Sequence, residues 1–199
     1  VDFAVEEANA AGGIDGRMIE TQYLDTQASA ATAREQAEKL VNDGHNILIG
    51  SIASGSALAI SPMLERWDAV MIGTIPKADD LTGFECSARF FRANINDSAD
   101  AATVGTWLDE QSEQAWAIMG SDTAWGRNSG ESFTQTAERL GRNIASEGYA
   151  ALGTNDFAPY IQSILDSGAE GVWVALAGRD AVNFAQQADQ FGLLDEVKV

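Results

Sequence analysis

Two hydrophobic rhythms alternate along this chain. Val1, Ala4, Val5, Ala8 and Ala11 recur at helical spacing, and Gly12-Gly13 then stop the run. Ile14 follows the glycines, where a helix C-cap folds an apolar residue back onto the last turn. Met18–Leu24 reads as a strand. A second helix is expected over Ala28–Asn42, with Ala33, Ala37, Leu40 and Val41 on one face and Gly44 as its stop. Ile47–Gly50 is short and wholly apolar, the kind of strand buried on both faces of a parallel sheet. Ser54–Trp67 reads as helix, Ala69–Ile72 as strand, and Arg89–Arg92 as extended after a loop holding Pro76 and Asp79-Asp80.

The same alternation continues. Asn96, Asp97 or Ser98 can cap a helix whose inner face uses Ala101, Val104 and Leu108. Ala115–Met119 reads as strand, Trp125–Leu140 as helix with Phe133, Ala137 and Leu140 inward, and Ile144–Ala150 as strand. Asp156 can cap Phe157–Leu165, with Pro159 tolerated in the first turn. Gly171–Leu176 reads as strand, Arg179–Phe191 as helix stopped by Gly192, and Val197–Val199 as the start of another strand. Strands and helices at this spacing predict parallel βαβ units with helices on the sheet faces. Asn94–Ser98 is the softest point of division, with about four β/α units expected on each side. A first helix with one apolar stripe needs a sheet beneath it, and no strand precedes it. The expectation is therefore a piece of a larger α/β protein that lacks its first strand.

Composition narrows the function classes. At 199 residues the chain suits one large domain or two small ones. Its formal charge of −18, with 30 acidic against 12 basic residues, opposes nucleic-acid binding and docking on anionic lipid. Such acidity suits saline surroundings and equally an ordinary acidic protein. No run reaches the ~18 apolar residues of a membrane span. Cys86 and His45 are single, which leaves neither an intrachain disulfide nor a metal site of the usual spacing. Neither a cofactor nor a metal is expected.

In an open parallel sheet, ligands bind beyond the carboxyl ends of the strands. Four segments occupy that position: Gly50–Ser56, Gly73–Lys77, Gly120–Trp125 and Ala175–Asp180. The first places hydroxyls and free N–H groups ahead of a helix, which fits a carboxylate or phosphate and fits a plain serine N-cap equally. Its spacing matches neither a P-loop nor a dinucleotide fingerprint. Lys77 is one of only three lysines and sits at a strand end, either to meet an anion or as a solvated loop residue. Arg179 has the same two readings and a third as a first-turn surface residue. Trp125 is either an aromatic wall for an apolar ligand or a core residue. His45 precedes a strand on the end away from these loops and reads as structural. Glu6-Glu7, Asp79-Asp80 and Asp109-Glu110 read as solvated faces. No nucleophile elbow or nucleophile–histidine pair nominates a reaction.

The segments AVEEANAAGGIDGR, LVNDGHNILIGSIASGSALAI, LTGFECSARFFRANINDSA, DTAWGRNSGESF, GTNDFAPYIQSIL and ALAGRDAVNFAQQADQFGL run in one order and register. Together they resemble the type I periplasmic solute-binding proteins of ABC transporters, the branched-chain amino acid group above all. The resemblance covers essentially the whole chain. It implies an α/β architecture of two lobes, each a parallel sheet flanked by helices in three layers, truncated here at both ends. Residues 1–95 would form the first lobe without its first strand, and residues 96–199 the second without its end and its return to lobe 1. It further implies no catalysis, a periplasmic or extracellular location with or without a lipid anchor, and ABC permease subunits as partners.

On the same resemblance, Ala53, Ser54, Gly55 and Ser56 hold the ligand carboxylate, with Ser54 foremost. Ile75 and Lys77 add contacts from the same lobe, and Trp125, Ala177, Arg179 and Asp180 face the ligand from the other. Amino-acid binders of the group place a small hydroxyl residue where Lys77 stands, a tyrosine at Trp125 and a frequent aromatic at Ala177. The acidic residue that binds an α-amino group would lie beyond Val199, and the first ligand loop before Val1. An added cation without an amino-binding partner favours a carboxylic acid, aromatic or otherwise, over an amino acid. The alternative on the same fold is the ligand-sensing domain of a receptor or regulator, and a doubly wound enzyme is a distant third.

Overall fold

A computed structural model describes all residues, 1–199. Helix α1 spans Asp2–Ala10 and ends as the glycines dictate: Gly13 N–H donates to the Ala8 carbonyl and Gly12 N–H to the Asn9 carbonyl, with both glycines at positive φ. Ile14 does not fold back onto it; the residue is exposed. Met18–Leu24 forms no strand either. A strand needs a ladder partner, and this segment is instead pinned through Asn9, whose amide donates to the Ile19 carbonyl and accepts from the Ile19 N–H.

Helix α2 (Ala30–Asn42) is capped by Ser29, whose hydroxyl accepts from the Thr32 N–H. Strands β1 (Ile47–Ile49), β2 (Val70–Gly73) and β3 (Phe90–Arg92) form a parallel sheet in that order, three strands rather than four. Leu48, Met71 and Phe90 stand side by side across it and are buried. They pack with Ala33 and Ala37 of α2 and with Ala57 and Ile60 of helix α3 (Ser54–Ile60). Period-2 alternation turns Ile49, Ile72 and Phe91 to the other face, where all three are exposed, so β1 is buried on one face only. The helix expected to reach Trp67 ends at Ile60 and passes into one 3-10 turn, Ser61–Met63, at Pro62.

Helix α4 (Asp97–Asp109), capped by Asn96, leads into the second parallel sheet. Strand β4 (Ala115–Ser121) is central, between β5 (Asn143–Ala150) and β6 (Gly171–Ala175). Here both faces are covered. Trp116 and Ile118 meet Leu108 of α4 and Phe133 and Ala137 of helix α5 (Ala124–Arg139). Ala117 and Met119 meet Ile161 and Ile164 of α6 (Ala158–Asp166), Phe184 and Ala188 of α7 (Gly178–Gln190), and Leu193 of α8 (Leu193–Glu196). Phe133 stacks on Trp173 at 4.8 Å between ring centroids. Val197–Val199 contributes one parallel bridge, Lys198 beside Gly171.

Candidate functional site

The carboxyl ends of β1 and β2 are neighbours because Ile49 pairs with Ile72, and the Gly50 N–H donates to the Ile72 carbonyl. Two loops therefore leave the first sheet side by side. In the first, the Ser51 hydroxyl donates to the Ala53 carbonyl at 2.9 Å, and Ala53 starts α3 with an extended backbone and no side-chain cap. Ser54 is only 2% exposed. Its hydroxyl oxygen accepts from the N–H groups of Lys77 and Ala78, each at 3.2 Å, and so stitches the second loop to the first. Gly55 is half-buried, and the buried Ser56 hydroxyl has no hydrogen-bond partner. Ile52 and Ile75 remain exposed at the two loop tips.

The second loop is held from below and beyond. Arg92, at the end of β3, donates to the carbonyls of Pro76 (2.6 Å) and Ala78 (2.7 Å) and to the Thr82 hydroxyl (3.1 Å). The Asn94 amide donates to the Ile75 carbonyl at 3.0 Å. Lys77 does not project as an isolated cation: its ammonium pairs with Asp100 of α4, and its carbonyl accepts from the Asp97 N–H. Asp79, on the 3-10 turn Asp79–Thr82, is not a solvated loop acid. Its carboxylate accepts from the Asn96 amide, the Ser98 hydroxyl (2.6 Å) and the Ser132 hydroxyl (3.1 Å), and its N–H donates to Asn128 at 2.8 Å. It fastens the first sheet's loop to α4 and α5 of the second.

Asp97 lies at the centre, 3% exposed, with Oδ2 unpaired. Burial first, then the charges of Asp79 and Asp100, push its carboxyl from an ordinary 3.8 up to about 7; the Lys77 charge and a Trp125 hydrogen bond pull the other way. Burial likewise lowers the Arg92 guanidinium, opposed by Asp79 and Asp97. Lys77 is thus tied to both acids in the first turn of α4, its carbonyl to the Asp97 N–H and its ammonium to Asp100.

Trp125 is half-buried in the first turn of α5. Its loop is fixed by Thr123, whose hydroxyl meets Ser121 at 2.9 Å and accepts from the Gly126 N–H at 3.1 Å. Gly126 is required there, since a Cβ would stand 2.1 Å from the Ser121 carbonyl oxygen. The register Gly120 beside Ala175 brings the loop after β6 next to this one. Ala177 and Arg179 are exposed, and Arg179 forms no ion pair. Asp180 is buried and accepts from the Gly153 N–H at 3.0 Å, which fixes the turn after β5. These three residues make no hydrogen bond to the Ser54–Lys77–Trp125 group.

Asp79, Arg92, Asp97 and Asp100 went unrecognised in the sequence. Their one signal was the Asn96-Asp97-Ser98 cap, which marked where α4 begins without showing what it meets. Two open grooves of about 570 and 350 Å3 lie elsewhere, between β5 and α6, and include none of the strand-end loops.

The sequence profile of the periplasmic binding protein family matches residues 1–199. The leucine-, isoleucine-, valine-, threonine- and alanine-binding protein of Pseudomonas aeruginosa is 26% identical over 195 residues, 96% of this chain and 51% of its own length. A crystal structure of a periplasmic binding protein from Burkholderia mallei superposes with a TM-score of 0.92 at 26% identity, covering 98% of this chain and 53% of that one. A solute-binding protein of an ABC transporter from R. palustris, in complex with 4-hydroxybenzoate, gives 0.85 at 24% identity, with coverage of 98% and 53%. The chain spans about half the length of the curated relatives it matches.

Proposed function

The chain belongs to the periplasmic binding protein family, and on that footing we propose that it is the solute-binding part of an ABC importer component. It takes a small carboxylate-bearing solute between two lobes, residues 1–95 and 96–199, outside the cytoplasmic membrane. It hands the solute to permease subunits and performs no turnover. One observation carries this reading: the loop after β2, stitched to α3 by Ser54, is tied through Lys77 and Asp79 to α4 and α5 of the second half. That is a polar centre between two parallel sheets at their strand ends, where such folds bind ligands. Ser54, Asp79 and Arg92 there hold backbone and neighbouring side chains by hydrogen bonds, and no nucleophile–base pair stands among them, which suits holding a solute better than transforming one.

The roles follow from the placement. The ammonium of Lys77 and the N–H groups near Ala53–Ser56 receive the carboxylate. Ile52 and Ile75, exposed at the loop tips, and the indole of Trp125 pack on an apolar or aromatic body. Ala177, Arg179 and Asp180 bound the opposite side. No helix is long and apolar enough to cross a membrane.

Thermal-shift and tryptophan-fluorescence titration against 4-hydroxybenzoate and leucine tests the proposal. Binding of either is expected, weakened selectively for 4-hydroxybenzoate by Lys77→Thr. A protein that responds to neither solute sinks the carboxylate reading. Unchanged binding of both solutes in the variant removes Lys77 from the site.

A further inference from the structure

The ion pair between Lys77 and Asp100 bears on which carboxylates the site accepts. Both side chains are about one-third exposed, 30% and 27%, so a solute entering between the sheets can reach them. Three carboxylates, Asp79, Asp97 and Asp100, surround two cations, Lys77 and Arg92. Arg92 is turned onto the carbonyls of Pro76 and Ala78, which leaves Lys77 as the cation that the first sheet's loops offer a solute. A solute carboxylate therefore has to take Lys77 from an anion already in place.

We infer that Asp100 is a specificity-determining residue, a built-in counter-ion that competes with the solute carboxylate for Lys77 and so disfavours simple monoanions. The inference rests on the reading of Ser54, Lys77 and Trp125 as the solute site. A monoanion that captures Lys77 strands Asp100 beside Asp97 and Asp79 in a cluster with excess negative charge. A solute carrying an ammonium group as well offers Asp100 a replacement partner, and the exchange leaves the local charge balanced. Lys77 alone would rank the two classes the other way. Asp100 reverses the order.

The test compares wild type, Asp100→Asn and the charge-keeping Asp100→Glu, with 4-hydroxybenzoate and leucine as probes in calorimetric titration. Asp100→Asn is expected to bind 4-hydroxybenzoate about fivefold more tightly, the size of a partly exposed ion pair. Leucine binding should weaken, because its ammonium loses Asp100 as partner, and Asp100→Glu, which keeps the charge, should keep the wild-type order of the two solutes. A second readout needs no solute. Acetylation by an activated ester, followed by mass spectrometry, should modify Lys77 faster in Asp100→Asn, with Lys39 as the internal reference. Unchanged Lys77 acetylation, or 4-hydroxybenzoate and leucine affinities that shift together, overturns the inference while leaving the site intact. Failure of every protein to bind either probe overturns the site and the inference with it.

Discussion

Replacing Asp97 by asparagine removes a charge while keeping the shape of a buried side chain, and its effect on stability depends on pH. Asp97 faces Asp79 from the 3-10 turn, Asp100 on its own helix, Lys77 from the loop after β2, Arg92 from β3 and Trp125 from α5. Its carboxyl ionises near 7 in the folded chain against 3.8 ordinarily. The folded value lies above the unfolded one. Between about pH 4 and 7 the folded state thus holds a proton that the unfolded state has released, and stability falls as pH rises through that window. The total penalty is about 4 kcal/mol at 1.36 kcal/mol per unit, a ceiling that water entry would lower. Roughly 1.5 kcal/mol of it accrues below pH 5 and about 2.5 kcal/mol between pH 5 and 8.

Asparagine carries no such penalty. Urea unfolding of wild type and Asp97→Asn at pH 5, 6, 7 and 8 should show the variant gaining on wild type by about 2.5 kcal/mol across the series. Titrating groups remote from Asp97 are common to both proteins and cancel in the difference. Stability curves that run parallel from pH 5 to 8 would refute the reasoning, because Asp97 would then ionise alike in both states.

Ser54→Ala leaves the Lys77 and Ala78 N–H groups without their acceptor in a site only 2% exposed, and should cost about 1–3 kcal/mol. Hydrogen exchange at those two amides should quicken while that of Val172 in the second sheet does not. Asp79→Ala removes the acceptor for Asn96, Ser98 and Ser132 and should cost about 2–3 kcal/mol in urea unfolding. It should also let Asp97 ionise at lower pH, seen as a shift in its carboxyl carbon resonance, because the Asp79 charge is among the causes of its rise.

Helices α4–α7 and strands β4–β6 were legible in the sequence because they are long enough to show their period, whereas the four-residue α8 was not foreseen and Val197–Val199 forms a single bridge rather than a strand. Phe133 and Ala137 on α5 sit where a 3.6-residue period puts them, against the sheet. The short strands of the first half misled. Ile47–Gly50 is apolar at every position, and that pattern does not say whether one face or two is covered; the structure covers only the face of Leu48. Met18–Leu24 has strand composition, yet composition cannot supply the ladder partner that makes a strand. Ile14 failed for a related reason: the cap hydrogen bonds formed, but α1 buries no residue and offers nothing for an apolar side chain to close upon.

The site was half legible. Ser54, Lys77 and Trp125 could be placed because strand ends are where such sheets present their loops. Lys77 was read as meeting a solute anion or as a solvated loop residue, and its ion pair went unseen because the partner lies 23 residues away on α4, a separation no local pattern reports. A chain with 30 acidic and 12 basic residues offers more than two carboxylates for every cation. An enclosed lysine in such a chain is therefore expected to be paired before any solute arrives, and scarcity makes it more contested, not more available. Composition carried that warning. Which carboxylate answers it depends on α4 starting at Asp97, so that Asp97 anchors on the Lys77 carbonyl and Asp100, three residues on, comes round to the ammonium.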